Sequence, residues 1–284
     1  HTMFNVINMI LFLPFANQLA NLATKIIPPD KVETISLGEP KHLNYTIISN
    51  SDLAINQSIK EMREMLRLVR MELMLAYQAF KERDYKKQMK VSKIEKAIDN
   101  LQREITLYLI AVNEKTNAED IIHKIPALLH TVNDIEKIGD FTEEINKILN
   151  EQITAPKQRL SSEFIAMIDD LYSKLLYMLD LSIDYLVELK EDYIYKIIEM
   201  EGRINETHHY LREEILTQVQ NGKCNAAGGL NTIDYLDEVE EIADKLKNLV
   251  KAGTHKFVYN RNFVKEPEEE AEKKENEKEL IDIF

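Results

Sequence analysis

The chain has 284 residues, 44% hydrophobic and 30% charged, enough apolar content to bury a core, so wholesale disorder is excluded. Seven Gly and seven Pro are few for this length and argue against a turn-rich β-sandwich or collagen-like sequence; the single Cys224 excludes an internal disulfide and a cysteine zinc site within one chain. A formal charge of −13 argues against nucleic acid as a partner, since phosphates would be repelled, and leaves cation binding open.

In chain order, the first feature is an uncharged run from Thr2 to Thr24. A helix of that length spans about 34 Å, enough for a hydrocarbon layer of about 30 Å. Residues 1–27 are therefore expected to form a transmembrane helix. Asn5, Asn8, Asn17, Gln18 and Asn21 interrupt it, and such amides face neighbouring helices or a polar cavity. No basic region precedes the run, which speaks against a signal peptide, and a start at His1 reads as a fragment of a longer protein. Pro28-Pro29 stops the helix and opens an irregular linker over 28–51. Lys25, Lys31 and Lys41 on that side place the rest in the cytoplasm by the positive-inside rule, and the protein at the inner (plasma) membrane.

Beyond the linker, helical periodicity dominates. Met62, Met65, Leu66, Val69, Leu73, Ala76 and Phe80 form one apolar stripe on a long helix ending near Asp84. A second helix runs from Tyr85 to about Asn113. A third starts near Pro126, a suitable first-turn residue, and carries Leu128, Leu129, Val132, Ile135, Ile138, Ile145 and Ile148. Pro156 closes this group. Further helices are expected near 160–189, 191–220 and 230–252, with a Gly-rich turn from Asn221-Gly222 through Gly228-Gly229. The fold class is all-α: two three-helix bundles over 52–155 and 156–254, followed by an acidic tail over 255–284. The Met and Tyr residues on the stripes read as core.

The two groups repeat one another. Ile94-Glu95-Lys96-Ala97-Ile98-Asp99 matches Met200-Glu201-Gly202-Arg203-Ile204-Asn205 at a shift of 106. Ile135-Glu136-Lys137-Ile138-Gly139-Asp140 matches Val239-Glu240-Glu241-Ile242-Ala243-Asp244 at a shift of 104. Val132, Ile135, Ile138 and Ile145 pair with Leu236, Val239, Ile242 and Leu249. Two nearly equal shifts, one per helix, indicate an internal duplication.

Each copy carries residues at i and i+4 that stack on one helix face about 6 Å apart. They are Glu95 with Asp99 and Glu136 with Asp140 in the first copy, and Glu201 with Asn205 and Glu240 with Asp244 in the second. Adjacent helices would gather up to four carboxylates, which repel unless a cation bridges them; such oxygen-rich clusters suit Mg, Mn, Ca or iron. All eight residues are candidate metal ligands. Gly139 before Asp140 costs about 1 kcal/mol relative to Ala within a helix, which suggests that something needs the space.

Ile-Glu-Lys-Ile-Gly-Asp at 135–140, with Glu95 and Asp99 on the preceding helix, resembles the acidic E(D)-x-x-x-D signature of PhoU-type phosphate-regulatory proteins. The resemblance implies two three-helix bundles with metal ions on the acidic pairs: iron, zinc, magnesium or manganese. His1-Thr2-Met3-Phe4-Asn5-Val6 with Leu13-Pro14-Phe15 is similar to the last membrane segment of bacterial Na+/phosphate cotransporters, and Lys41-His42-Leu43-Asn44 resembles the linker to their PhoU-like tail. That likeness implies the cytoplasmic regulatory part of a sodium-dependent phosphate cotransporter, whose N-terminal membrane domain, binding sodium and phosphate, lies outside this chain. A second copy of the chain or phosphate-signalling proteins are further implied partners. Asn205 departs from the pattern, standing where the first copy has Asp99.

Two other readings remain. One is a PhoU-like adaptor that contacts a sensor kinase or an ABC phosphate transporter. The other is a helical di-iron carboxylate enzyme, as in ferritin-like bundles, which wants Glu-x-x-His pairs. His123, His130, His208 and His209 show no metal-ligand spacing with a third residue, and neither a nucleophile elbow nor a P-loop is present. A non-enzymatic role is expected.

Overall fold

The Asn50 side chain accepts a hydrogen bond from Leu53 N–H and so opens the first long helix. In the computed structural model, which describes residues 37–154, 162–222 and 226–254, six α-helices follow a short 3-10 turn at Tyr45–Ile47. They are α1 (Ser51–Glu82), α2 (Tyr85–Lys115), α3 (Glu119–Thr154), α4 (Ser162–Glu188), α5 (Glu191–Gln220) and α6 (Ala226–Thr254). The expected segment 1–27, Pro156 and the tail 255–284 lie outside the described residues.

Short links set the topology. Arg83 takes the left-handed conformation (φ 54°) and ends α1, and the Asp84 carboxylate accepts from Lys86 and Lys87 N–H to start α2. Two residues between long helices force antiparallel neighbours. Leu189 (φ 50°) makes the same reversal between α4 and α5, and Gly222 (φ +68°) stands at the end of α5, where a residue with a side chain would be strained. Helices α1, α2 and α3 pack on one another, as do α4, α5 and α6.

The stripes become core. Met62, Met65, Leu66, Val69, Leu73 and Ala76 are buried on α1, as are Ile98, Leu101 and Ile105 on α2 and Leu128, Val132 and Ile135 on α3. Phe80 and Leu129 are only half-buried. Each repeat pair on the third helices, Val132 with Leu236 through Ile145 with Leu249, is buried in both copies. At about 25 cal/mol per Å², each such side chain contributes roughly 1.5–3 kcal/mol toward closing its bundle.

Helices α3 and α6 join the two sets along one seam and α1 and α4 along another. At the second seam, the Tyr77 and Tyr172 rings stack with centroids 3.7 Å apart, and Asp169 accepts from Tyr77 Oη and Lys81 Nζ at 2.7 and 2.9 Å. Arg70 grips Asp180 through two hydrogen bonds. The described residues from Gly38 onward belong to one compact unit.

Several expectations are corrected. Pro126 lies inside α3, not in its first turn, and the helix tolerates one missing N–H. Gly228-Gly229 lies within the first turn of α6, so the turn reduces to the residues around Asn221-Gly222. The last part of the expected linker is fastened down: Lys41 and His42 N–H donate to Glu61 Oε2 at 3.0 and 2.6 Å, and Asn100 Nδ2 donates to Gly38 O at 2.7 Å. The expected membrane location is also corrected. Among the described residues no helix is long and apolar enough to cross a membrane, because each carries charged residues along its length; even the apolar α4 contains Asp169, Asp170, Lys174, Asp180 and Asp184.

Candidate functional site

Helix α2 brings Glu95 and Asp99, and α3 brings Glu136, Asp140 and Glu143, to one acidic patch. The patch has a floor that sequence reading missed. Glu72 of α1 is fully buried, and neither of its carboxylate oxygens has a hydrogen-bond donor; the same holds for Glu95, 6% exposed.

Burial pushes Glu95 up to about 8, reinforced by the charges of Asp140 and Asp99. Burial likewise holds Glu72 well above the usual carboxylate range, with the Glu95 charge adding to it. Glu136 is raised by burial and by Asp140 and Asp99, and Asp140 by burial, Asp99 and Glu143. Glu143 differs. Burial works against its charge, yet the Ser92 hydroxyl at 2.8 Å and the Lys147 ammonium hold it below its ordinary value. Gly139 explains its own presence: a Cβ there would lie 2.7 Å from Glu95 Oε2.

The second copy is built otherwise. Lys247 Nζ donates to Glu201 Oε1 at 2.7 Å and lies 2.8 Å from Asp244 Oδ1. Asn205 Nδ2 donates to the same Glu201 oxygen at 2.7 Å, and Asn248 Nδ2 donates to Asp244 Oδ2 at 2.9 Å. Glu240 is raised by burial and by the charges of Glu241 and Asp244. Nearby on α5, His208 Nε2 lies 2.7 Å from Asp237 Oδ1, a carboxylate that Arg212 also holds, and it joins no ligand cluster.

Among the described residues, no three His, Cys, Asp or Glu side chains are gathered closely enough to hold a metal ion. The donor chemistry of the two patches nevertheless differs. Glu72 and Glu95 present buried oxygens without donors, which is what a hard cation requires, so the first patch fits a metal in donor type without closing a ligand shell. In the second, Glu201 and Asp244 already hold an ammonium, and those residues do not fit one. Two signals for the missed residues were in the sequence. Glu72 is a charge set on the apolar stripe between Val69 and Leu73, and the shift of 104 matches Glu143 with Lys247.

The PhoU domain family model matches residues 62–149 and again 168–252. The chain belongs to the PhoU domain family. The two matched stretches fall on α1–α3 and α4–α6, so each helical triplet carries a PhoU domain match. Among solved structures, the fold is similar to PhoU from Pseudomonas aeruginosa, with a TM-score of 0.64 and 17% identity over 70% of this chain and 95% of that one. It is also similar to the phosphate transport system regulatory protein PhoU from Streptococcus pneumoniae, with a TM-score of 0.60 and 18% identity over 74% of this chain and 99% of that one. At these identities the likeness is one of fold. No curated protein matches the sequence.

Proposed function

We propose that this protein regulates phosphate transport, and that a divalent cation on the first acidic patch sets its state. The observation that carries the reading is the paired PhoU domain match joined to a patch of buried, donor-free carboxylates on the first of the two matches. Glu72, Glu95, Asp99, Glu136 and Asp140 line the patch that the ion would enter, without forming a closed ligand set, and the ion would supply charge neutralisation. The chain's own part is to keep the carboxylates apart from donors and to leave Gly139 open so that Glu95 reaches the patch. The role is regulatory and not catalytic.

Two transport partners suit such a regulator: a sodium-dependent phosphate cotransporter, or an ABC phosphate transporter with its sensor kinase. Uptake of labelled phosphate, measured in the source cells with and without this chain, tests the reading. Loss of the chain should alter uptake, and Glu95→Gln/Asp140→Asn should reproduce the loss at normal protein levels. Unchanged uptake in both would overturn it. Co-purification with one transporter or the other identifies the partner.

A further inference from the structure

The positions around the acidic pairs diverge between the copies in one direction. Glu95, Glu136 and Asp140 are matched by Glu201, Glu240 and Asp244, but Glu72 is matched by Met178, Asp99 by Asn205 and Glu143 by Lys247. Six carboxylates in the first copy thus face three carboxylates, one amide, one thioether and one ammonium in the second. The shift of 106 that relates Glu95 to Glu201 also relates Val69 and Leu73 to the buried Leu175 and Leu179, so the match of Glu72 with Met178 follows the core register.

Lys247 is no loose surface lysine. Its side chain is 18% exposed and that of Glu201 9%, and its Nζ bridges α5 to α6 through charge-assisted hydrogen bonds of 2.7 and 2.8 Å. Asn205 and Asn248 fill further acceptor sites on the same two carboxylates.

We infer that Lys247 is a built-in cation for the second half of the molecule. Its ammonium neutralises Glu201 and Asp244 where the first half leaves carboxylates bare, so the second half closes without metal. A divalent ion entering there would meet a like charge and would have to break both of the Lys247 bonds. Cation dependence then belongs to the first half alone, which rests on the proposed function; the role of Lys247 does not.

The test uses the full chain, melted in chelator and again with Mn2+ as probe. Lys247→Met keeps an unbranched stem and removes the charge. It should lower the melting temperature in chelator by about 5 °C or more, while Lys247→Arg, which keeps the charge, should recover most of that loss. Glu240→Gln/Asp244→Asn should leave the bound Mn2+ content of the chain unchanged. The inference is overturned if Lys247→Met melts like the unmodified chain in chelator, or if Glu240→Gln/Asp244→Asn sheds bound Mn2+. If Lys247→Met does not fold, hydrogen exchange of Lys247→Gln replaces it: faster exchange in α5 and α6 than in α2 and α3 supports the role of Lys247, and equal exchange overturns it. A chain indifferent to Mn2+ would count against the proposed function, and the chelator melts would still decide the role of Lys247.

Discussion

Gly139 and Glu95 occupy one space: a Cβ on residue 139 would sit 2.7 Å from Glu95 Oε2 and 3.2 Å from Ile98 Cδ1. Alanine is worth about 1 kcal/mol over glycine in a helix, so the open site on α3 has a cost that the carboxylate explains. Gly139→Ala should change the melting temperature of the metal-free chain little, because the gain in helix propensity offsets the displaced side chain. It should weaken Mn2+ binding by about tenfold, since Glu95 is turned from the patch. Calorimetric titration checks this, and unchanged affinity would separate Gly139 from cation binding.

Glu95 also sets a pH dependence. Its ordinary value is 4.5 and its folded value about 8, raised by burial and by Asp140 and Asp99. Between these values the folded chain keeps a proton that the unfolded chain has released, so its contribution is full below about 4.5 and is lost as pH rises through about 8. Asp134, pushed up to about 6, and Glu238, to about 7, both chiefly by burial, act in the same sense. Melting temperatures in chelator should therefore fall as pH rises across this range, and Glu95→Gln should flatten the slope. A slope identical to that of the unmodified chain would remove Glu95 from the account.

The helices were legible because their apolar stripes are long and regular, as Met62 through Ala76 illustrates. Two boundaries run past single residues that usually punctuate a chain. Pro126 costs only one hydrogen bond near the start of a 36-residue helix, and Gly228-Gly229 is carried into α6 by the buried Ile233, Tyr235 and Leu236 that follow. The acidic pairs were legible through their repetition. Glu72 shows in the sequence as a charge on an apolar stripe, but its place in the patch does not, because it joins from a third helix; Lys247 shows only as the match of Glu143, and a lysine three residues after an aspartate also fits an ordinary surface pair. The fastening of Lys41 and His42 by Glu61 needs tertiary structure to see, since the carboxylate lies in a helix nineteen and twenty residues away.

Leu73 is 3% exposed on α1, beside Glu72 in sequence but facing the apolar core. Leu73→Ala should destabilise the chain by about 2–5 kcal/mol through lost burial and the cavity left behind. Urea unfolding followed by circular dichroism measures it; a change below about 1 kcal/mol would mean that the stripe on α1 is not core.

Glu61 is fully buried and holds two backbone N–H groups of the segment before α1. Glu61→Ala should cost about 1.5–3 kcal/mol, the worth of hydrogen bonds to a charged acceptor. The Lys41 and His42 amides should lose their hydrogen-exchange protection while Tyr108, which donates to Gln57 Oε1 and Asn44 O, stays packed. Unchanged amide exchange at 41 and 42 would show that the segment is held by other contacts.

Hydrogen exchange of the full chain, in chelator and then with saturating Mn2+, tests the cation asymmetry between the two halves most directly. The account predicts slower exchange around Glu95 and Asp99 of α2 and Glu136 and Asp140 of α3, with no change around Glu201 of α5 and Asp244 of α6. Equal protection of both halves, or protection of α5 and α6 alone, would contradict it.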